Sequence, residues 1–310
     1  MKKVLVAVML AAVTLCFASP AFPWGSATHA YIDDHLGNKL LLNNQEMYGG
    51  MGNDAFNFLL EQPEVMAFLY GKTHLDFMEV WNAAQLPTGK ALAFGFVSHN
   101  DVWGADLTAH HRGITFGQNE GYVVAKAREL AAFLGPILSK QGIDLPVPLL
   151  EDIAHSFVEV GTDLLVKRID PHIGDKLVAA ALLRNSEFPS LLVKAYGGDL
   201  AAFAGISLPD AAKLIADAEM EFRKTILVYG QTLTNDNGTA LRLLSEQGAT
   251  LAAATLASRG IILPDGVDLR PIIRLGIAKA MVDCAPDFYG ELAATVNFVD
   301  GQLRSHGIGY

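Results

Sequence analysis

The stretch ALAFGFVSHNDVWGADLTAHHRG, from Ala91 to Gly113, decides how the rest of this chain is interpreted. Its first half is apolar, and its second half carries His99, Asp106 and His110. At about 100° per residue in an α-helix, Asp106 and His110 lie about 20° to either side of His99 around the axis. Imidazole and carboxylate groups are ligands that Zn²⁺ accepts readily. The spacing therefore predicts a metal-binding helix, and the alternative is an amphipathic helix whose histidines fall together by chance.

The remainder of the chain also has a helical pattern. Alternation of the kind that strands show is absent over any useful length, and the breaks are Gly and Pro residues that end helices. The sequence thus predicts an all-α fold, a multi-helix bundle with a C-terminal helical extension. The expected helices span about 26–42, 54–71 with a break at Pro63, 88–111, 119–140, 149–170, 208–232, 238–259, 269–282 and 286–305.

The first residues, MKKVLVAVMLAAVTLCFASPA, have the features of a secretory signal peptide. Two lysines precede an apolar run that is short for a membrane span, and small residues follow it. We expect cleavage after Ala21 and an exported protein, either periplasmic or secreted. Cleavage would remove Cys16 and leave Cys284 as the one cysteine, so an intramolecular disulfide is excluded.

Composition limits the classes of partner. Charged residues make up 18% of the 310 residues, and the formal net charge is −10. Mean hydropathy is +0.28, so many helices must be buried on more than one face. An acidic surface repels polyphosphate chains, so no nucleic-acid partner is expected. An anionic substrate would need a local cation, which a metal site could supply.

Three other segments carry candidate ligands, and each has a simpler interpretation. The segment WGSATH, Trp24 to His29, could bind metal through its histidine together with a mature N-terminal amine and a backbone carbonyl, or it could simply pack. His155 and Glu159, four residues apart in a helix, could hold an ion or form a surface hydrogen bond. Asp76, in GKTHLDF, could present a carboxylate to a site or cap a helix.

The candidates all lie in the first half of the chain. Beyond Asp170 the sequence is richer in Ala and Leu, and its histidines are His172 and His306. This concentration favours a metal-site region over residues 22–170 and a helical extension over residues 171–310 that packs on it.

These segments together resemble the zinc-dependent phospholipase C family, which includes the catalytic part of glycosylphosphatidylinositol-specific phospholipase D. The matching pieces are WGSATH, GKTHLD, AFGFVSHNDVWGADLTAHH and HSFVE, in the family's order, between Trp24 and about Asp163. The resemblance implies an all-α enzyme of that family's type with two or three zinc ions. The implied metal ligands are Trp24, His29, Asp76, His99, Asp106, His110, His155 and Glu159.

Within that implied set, the ion held by Trp24 and His29 would share Asp106 with a second ion, which Asp76 and His99 also bind. The last three residues of the set would hold a third ion. In such sites a metal-bound water of lowered pKa attacks phosphorus. Asp76 is the residue that we expect to orient or deprotonate this water.

The chain departs from the family pattern at three places. Three extra residues separate His99 from Asp106, which displaces the ligands by about 4.5 Å along a regular helix. The family has a histidine between the positions of Asp76 and His99, and here His74 is the stand-in. Cleavage after Ala21 would leave Phe22 and Pro23 ahead of Trp24, so the N-terminal amine that the first ion needs would be misplaced.

The sequence therefore predicts an exported zinc-dependent phosphodiesterase that hydrolyses a phospholipid or similar phosphate ester, with peripheral membrane contact as a further expectation. One alternative is a zinc hydrolase similar to the single-strand nucleases. The other is a non-catalytic helical envelope protein that has kept part of a zinc site. The sequence leaves open the head group, the number of ions and the oligomeric state.

Overall fold

The computed structural model describes residues 24–37, 41–57, 59, 61–116, 119–258, 260–264 and 266–310. The residues in these ranges form helices and connecting turns and contain no strand, which confirms the predicted all-α fold. The expected signal peptide and its cleavage site after Ala21 lie outside the described ranges.

The helices of the first half surround the candidate site. They are α1 (Ser26–Leu36), α2 (Asn43–Met51), a 3₁₀ helix (Gly52–Phe56), α3 (Pro63–His74), α4 (Met78–Ala83), α5 (Pro87–His99), a π-helical turn (Leu107–His111), α6 (Tyr122–Ser139) and α7 (Val147–Ile169). Proline lies in the first turn of α3 and α5, where its missing N–H costs nothing. Pro63 therefore begins a helix, whereas the sequence pattern predicted a break inside one.

The second half consists of longer helices. They are α8 (Ile173–Leu183), α9 (Glu187–Ala204), α10 (Leu208–Leu233), α11 (Asn237–Ser258), α12 (Arg270–Cys284) and α13 (Phe288–Ser305). The expected bounds agree with those of α10 to α13 to within a few residues, and Pro209 and Pro271 lie in the first turns of α10 and α12, whereas α8 and α9 had no expected bounds.

Two glycines let α2 and α5 cross with their backbones in contact. A Cβ atom on Gly95 would lie 1.9 Å from the Glu46 carbonyl oxygen, and one on Gly49 would lie 2.0 Å from the Leu92 carbonyl oxygen. Any larger residue would force the helices apart. This close crossing brings the C-terminal end of α5, and with it His99, against the backbone of α2.

Helices from both halves share one core. Trp24 is fully buried, and its ring lies 5.4 Å from Tyr122 of α6 and 5.9 Å from Phe288 of α13. Glu291, also on α13, accepts hydrogen bonds from the backbone N–H groups that follow the π-helical turn, including that of Thr115 at 2.6 Å. The second half therefore packs against the elements that carry the candidate ligands.

Within the described ranges, no single helix combines the length and apolar character needed to cross a membrane. The pair α9 and α10, bent by 117°, passes that test when its two helices are taken together.

Candidate metal centre

The expected continuous helix over 88–111 is interrupted directly after His99. The Asn100 side chain accepts hydrogen bonds from the N–H groups of Val102, Trp103 and Gly104 at 2.8, 2.8 and 3.2 Å. An amide side chain that accepts from the following backbone favours a turn over helix continuation. The three extra residues between His99 and Asp106 are therefore accommodated in a loop, and the helical phase argument does not hold.

This loop brings Asp106 into contact with three histidines from three helices. Asp106 Oδ1 lies 3.2 Å from His29 Nε2, while Oδ2 lies 2.8 Å from His99 Nε2 and 3.3 Å from His74 Nε2. Asp54 of the 3₁₀ helix completes the group, 3.6 Å from His74 Nε2. We call these five residues the inner cluster. All are buried.

The spacing of the donor atoms fits a metal ion. In a tetrahedral zinc site with Zn–N bonds of about 2.0–2.1 Å, neighbouring ligand atoms lie about 3.3 Å apart. The Nε2 atoms of His74 and His99 are 3.2 Å apart. Among the described residues, neither His29 Nε2 nor either Asp106 oxygen has a partner with hydrogen-bond geometry. Buried lone pairs that converge without hydrogen bonds need a cation, so the inner cluster could hold metal.

Backbone carbonyl groups hold two of the imidazoles in orientation. His99 Nδ1 lies 2.6 Å from the Gly50 carbonyl oxygen, and His74 Nδ1 lies 3.1 Å from that of Tyr70. A proton on each Nδ1 satisfies these contacts and leaves the Nε2 lone pair directed into the cluster. Metal-binding histidines are held in this way.

Burial governs the ionisation of the cluster. It lowers the pKa of His29 well below its usual value, with His99 and His74 adding to the effect, and it raises the pKa of Asp106 well above its own. Burial also acts to lower the pKa of His74, but the nearby carboxylates of Asp106 and Asp54, 3.3 and 3.6 Å from its Nε2, outweigh it and raise that pKa to about 9. A cationic group, either a proton on His74 or a metal ion, thus balances the carboxylates.

A second group of ligands lies beside the first. Asp101 Oδ1 is 3.5 Å from His110 Nδ1 and 3.4 Å from His111 Nε2. We call these three residues the outer cluster. A cavity of about 400 Å³ opens next to it, lined also by Tyr70, Arg128 and His155 among others. The outer cluster is accessible from solvent, whereas the inner cluster is enclosed.

His155 and Glu159 form a buried pair on α7. His155 Nε2 lies 2.9 Å from Glu159 Oε1, and the His155 ring centroid is 5.2 Å from that of His110. Burial raises the pKa of Glu159 well above its usual value, and Asp54, Asp163 and Asp106 add to the shift. The structure therefore brings this pair next to His110, one of its expected co-ligands.

Four expected ligands belong to neither cluster: His155 and Glu159, which form the pair on α7, and Asp76 and Trp24. The Asp76 side chain is 55% exposed and pairs with Lys72 at 2.8 Å, so the structure does not bring this expected ligand and catalytic base to either cluster. The Trp24 indole N–H donates to the Ala105 carbonyl oxygen at 3.1 Å and to Thr108 Oγ1 at 3.0 Å. The Trp24 side chain therefore supports the π-helical turn, and ligation through the Trp24 amine and carbonyl, which the resemblance implies, stays a prediction.

Asp54 and His74 lie in the inner cluster, where the sequence predicted Asp76. His74 was expected as a stand-in, two residues before Asp76 in the same segment. Asp54 was expected at the start of the helix over 54–71, whereas it lies inside the 3₁₀ helix with its side chain turned towards His74. Its one sequence signal was a carboxylate in a Gly-rich segment, GGMGND, which many loops share.

Comparisons with protein-family models, curated proteins and solved structures find no match to this chain. The buried clusters of histidine and aspartate, which could hold metal ions, are therefore the basis of the functional inference.

Proposed function

We propose that this protein is a zinc-dependent phosphodiesterase that hydrolyses a phospholipid or a similar phosphate ester. The observation that carries the proposal is the inner cluster, in which the two oxygens of Asp106 face His29 on one side and His74 with His99 on the other. A carboxylate placed in this way can bridge two ions. Paired metal ions suit the in-line displacement at phosphorus.

The donor set favours zinc. Three imidazoles and two carboxylates converge in the inner cluster, and imidazole suits zinc, whereas calcium and magnesium prefer oxygen ligands alone. His29, Asp106, His99, His74 and Asp54 would hold the ions. When bound, zinc supplies a water of lowered pKa and neutralises negative charge on the phosphoryl oxygens.

Asp54 is suited to accept the proton of the attacking water, the role that the sequence predicted for Asp76. Its carboxylate oxygens stand 3.6 Å from His74 Nε2 and 4.0 Å from His99 Nε2, further than any Asp106 contact, so Asp54 lies at the edge of the imidazole group. Asn57 Nδ2 donates to Asp54 Oδ1 at 2.8 Å and orients the carboxylate.

The cavity beside the outer cluster would receive the substrate. No inner-cluster residue is among those that line it, and Tyr70, whose ring stacks on His74, is the contact between the cavity and the inner cluster. Its volume of about 400 Å³ suits a phosphorylated head group, and its opening lets a longer chain remain outside. Arg128 lines the cavity but pairs with Glu120, and Glu151 and Asp152 line it as well, so the positive charge for a phosphate would have to come from bound metal ions. Export and peripheral membrane contact stay predictions from the sequence.

Two alternatives make different predictions. A zinc hydrolase similar to single-strand nucleases would cleave single-stranded DNA, which the net charge of −10 disfavours. A non-catalytic envelope protein would retain zinc without hydrolysing any phosphate ester.

The test measures zinc content by elemental analysis, together with hydrolysis of bis(p-nitrophenyl) phosphate, phosphatidylcholine vesicles and single-stranded DNA. We expect wild type to carry at least one tightly bound zinc and to cleave the first two substrates. Asp106→Asn should lose zinc and at least about 100-fold of the activity, the upper range for disturbed metal sites. The matched control, Asp76→Asn, should keep both because its side chain is exposed.

Wild type without bound zinc would refute the proposal. Zinc with no turnover of any ester would select the envelope protein, and cleavage of DNA alone would select the nuclease.

A further inference from the structure

The outer cluster has the geometry of a metal site rather than of a hydrogen-bonded network. Hydrogen bonds from ring N–H groups are commonest at about 2.9–3.0 Å. The Asp101 contacts to His110 and His111 are longer, at 3.5 and 3.4 Å. These distances are close to the spacing of about 3.3 Å between ligand atoms around tetrahedral zinc. One ligand atom from each of the three residues lies within 4.8 Å of the others.

A neighbouring side chain orients the carboxylate. The Tyr70 hydroxyl donates to Asp101 Oδ2 at 2.9 Å, so Oδ1 is left facing the two histidines. Ligating carboxylates in metal sites are held by such outer hydrogen bonds. The Tyr70 ring is in turn stacked on His74 of the inner cluster, with centroids 3.9 Å apart.

We propose that Asp101, His110 and His111 form an additional zinc site at the mouth of the cavity, with the remaining coordination position open to solvent. The resemblance to phospholipases C implies a different third set, His110 with His155 and Glu159. In this structure the Nδ1 edge of His110 faces Asp101, and His155 pairs with Glu159 at 2.9 Å.

This site differs from the inner cluster in access. The His111 side chain is 56% exposed, while Asp101 and His110 are 7% exposed. A site of three protein ligands with one open position exchanges its ion more readily than an enclosed one. The outer ion is therefore the first to leave when a chelator is added. The proposal concerns binding and does not rest on the proposed hydrolysis.

The experiment titrates metal-free full-length protein with Zn²⁺ at neutral pH and measures stoichiometry, affinity and the rate of loss to a chelator. We expect His111→Ala to bind one zinc fewer than wild type. The ion that it lacks should be the one that wild type loses fastest to the chelator. Because His111 is exposed, this substitution should not disturb folding. Tyr70→Phe keeps every ligand and should lower the affinity for the same ion by about 10-fold.

The controls separate this site from its alternatives. His172→Ala, at an exposed histidine of the second half, should behave as wild type. His155→Ala should keep the outer ion. The proposal is refuted if His111→Ala binds zinc like wild type, if His155→Ala instead loses the weakest ion, or if wild type binds no zinc. An outer ion present in a protein without phosphodiesterase activity would refute the proposed function alone.

Discussion

Asp163 accepts hydrogen bonds from the backbone N–H of Thr28 at 2.8 Å and from its hydroxyl group at 2.7 Å, across 135 residues of chain. The Ala27 N–H and the Tyr229 hydroxyl donate to the same carboxylate at 3.0 and 2.8 Å. A carboxylate at the first turn of a helix satisfies N–H groups that otherwise lack partners. Asp163 of α7 thus positions α1, and with it His29, which follows Thr28.

The ionisation of Asp163 should make stability depend on pH. Burial raises its pKa to about 6, although the four donors act in the opposite direction. Because the folded chain holds this proton more tightly than the unfolded chain, the contribution to the free energy of unfolding should fall as pH rises from about 4 to about 6. A shift of about two pKa units corresponds to about 3 kcal/mol.

Urea unfolding of wild type and Asp163→Asn over this pH range measures the effect. The difference between the two proteins isolates Asp163, because the pH dependence of the metal ligands is common to both. A difference that stays constant between pH 4 and pH 6 would contradict the prediction.

Gly95→Ala should destabilise the fold. The new methyl group would lie 1.9 Å from the Glu46 carbonyl oxygen, so α2 and α5 must separate. Overpacking of this kind costs about 1–3 kcal/mol, and the shift should also weaken zinc binding through His99. The matched control is Gly198→Ala on α9, where no described atom lies within 4 Å of the new methyl group. The free energy of unfolding of this variant should rise by about 0.5–1 kcal/mol. Equal midpoints of thermal unfolding for the two variants would count against the tight crossing.

Removal of metal should lower stability. Without a cation, both oxygens of Asp106 remain buried against His29 and His99, whose pKa values burial lowers. Zinc at about 1,000 times its dissociation constant contributes about 4 kcal/mol to the free energy of unfolding. We therefore expect a chelator to lower the thermal midpoint and added Zn²⁺ to restore it, as measured by calorimetry. A midpoint indifferent to both treatments would argue against structural metal ions in the inner cluster.

Asn100→Ala should loosen the loop between His99 and Asp106. The substitution removes the acceptor of three backbone N–H groups, which costs about 1–2 kcal/mol for a capping side chain. Zinc affinity of the inner cluster should fall with it, because Asp106 is no longer held opposite His99. Asn82→Ala, at an exposed position of α4, is the control and should change neither quantity. Isothermal titration with Zn²⁺ and urea unfolding give the two readouts, and unchanged affinity in Asn100→Ala would show that the loop does not position the ligand.

The sequence alone was sufficient for the fold class and for most helices. Periodic apolar positions, with proline in the first turns, specify helices locally, so the bounds of α10 and α12 agree with the expectation. The continuous helix over 88–111 was wrong because an Asn100 side chain competes with the helical backbone, a choice that periodicity cannot detect.

The residue types of the site were also visible in the sequence, since histidines concentrate in the first half of the chain. Which of them meet was decided by tertiary structure. The crossing at Gly49 and Gly95 places His99, and Asp163 places His29 from a distant helix. Asp54 and His74 lie in the inner cluster because the 3₁₀ helix and the end of α3 bury their side chains there. The Asp76 side chain, two residues after His74, lies at the surface. Sequence periodicity describes one helix at a time, whereas a metal site depends on distances of a few ångströms between several helices.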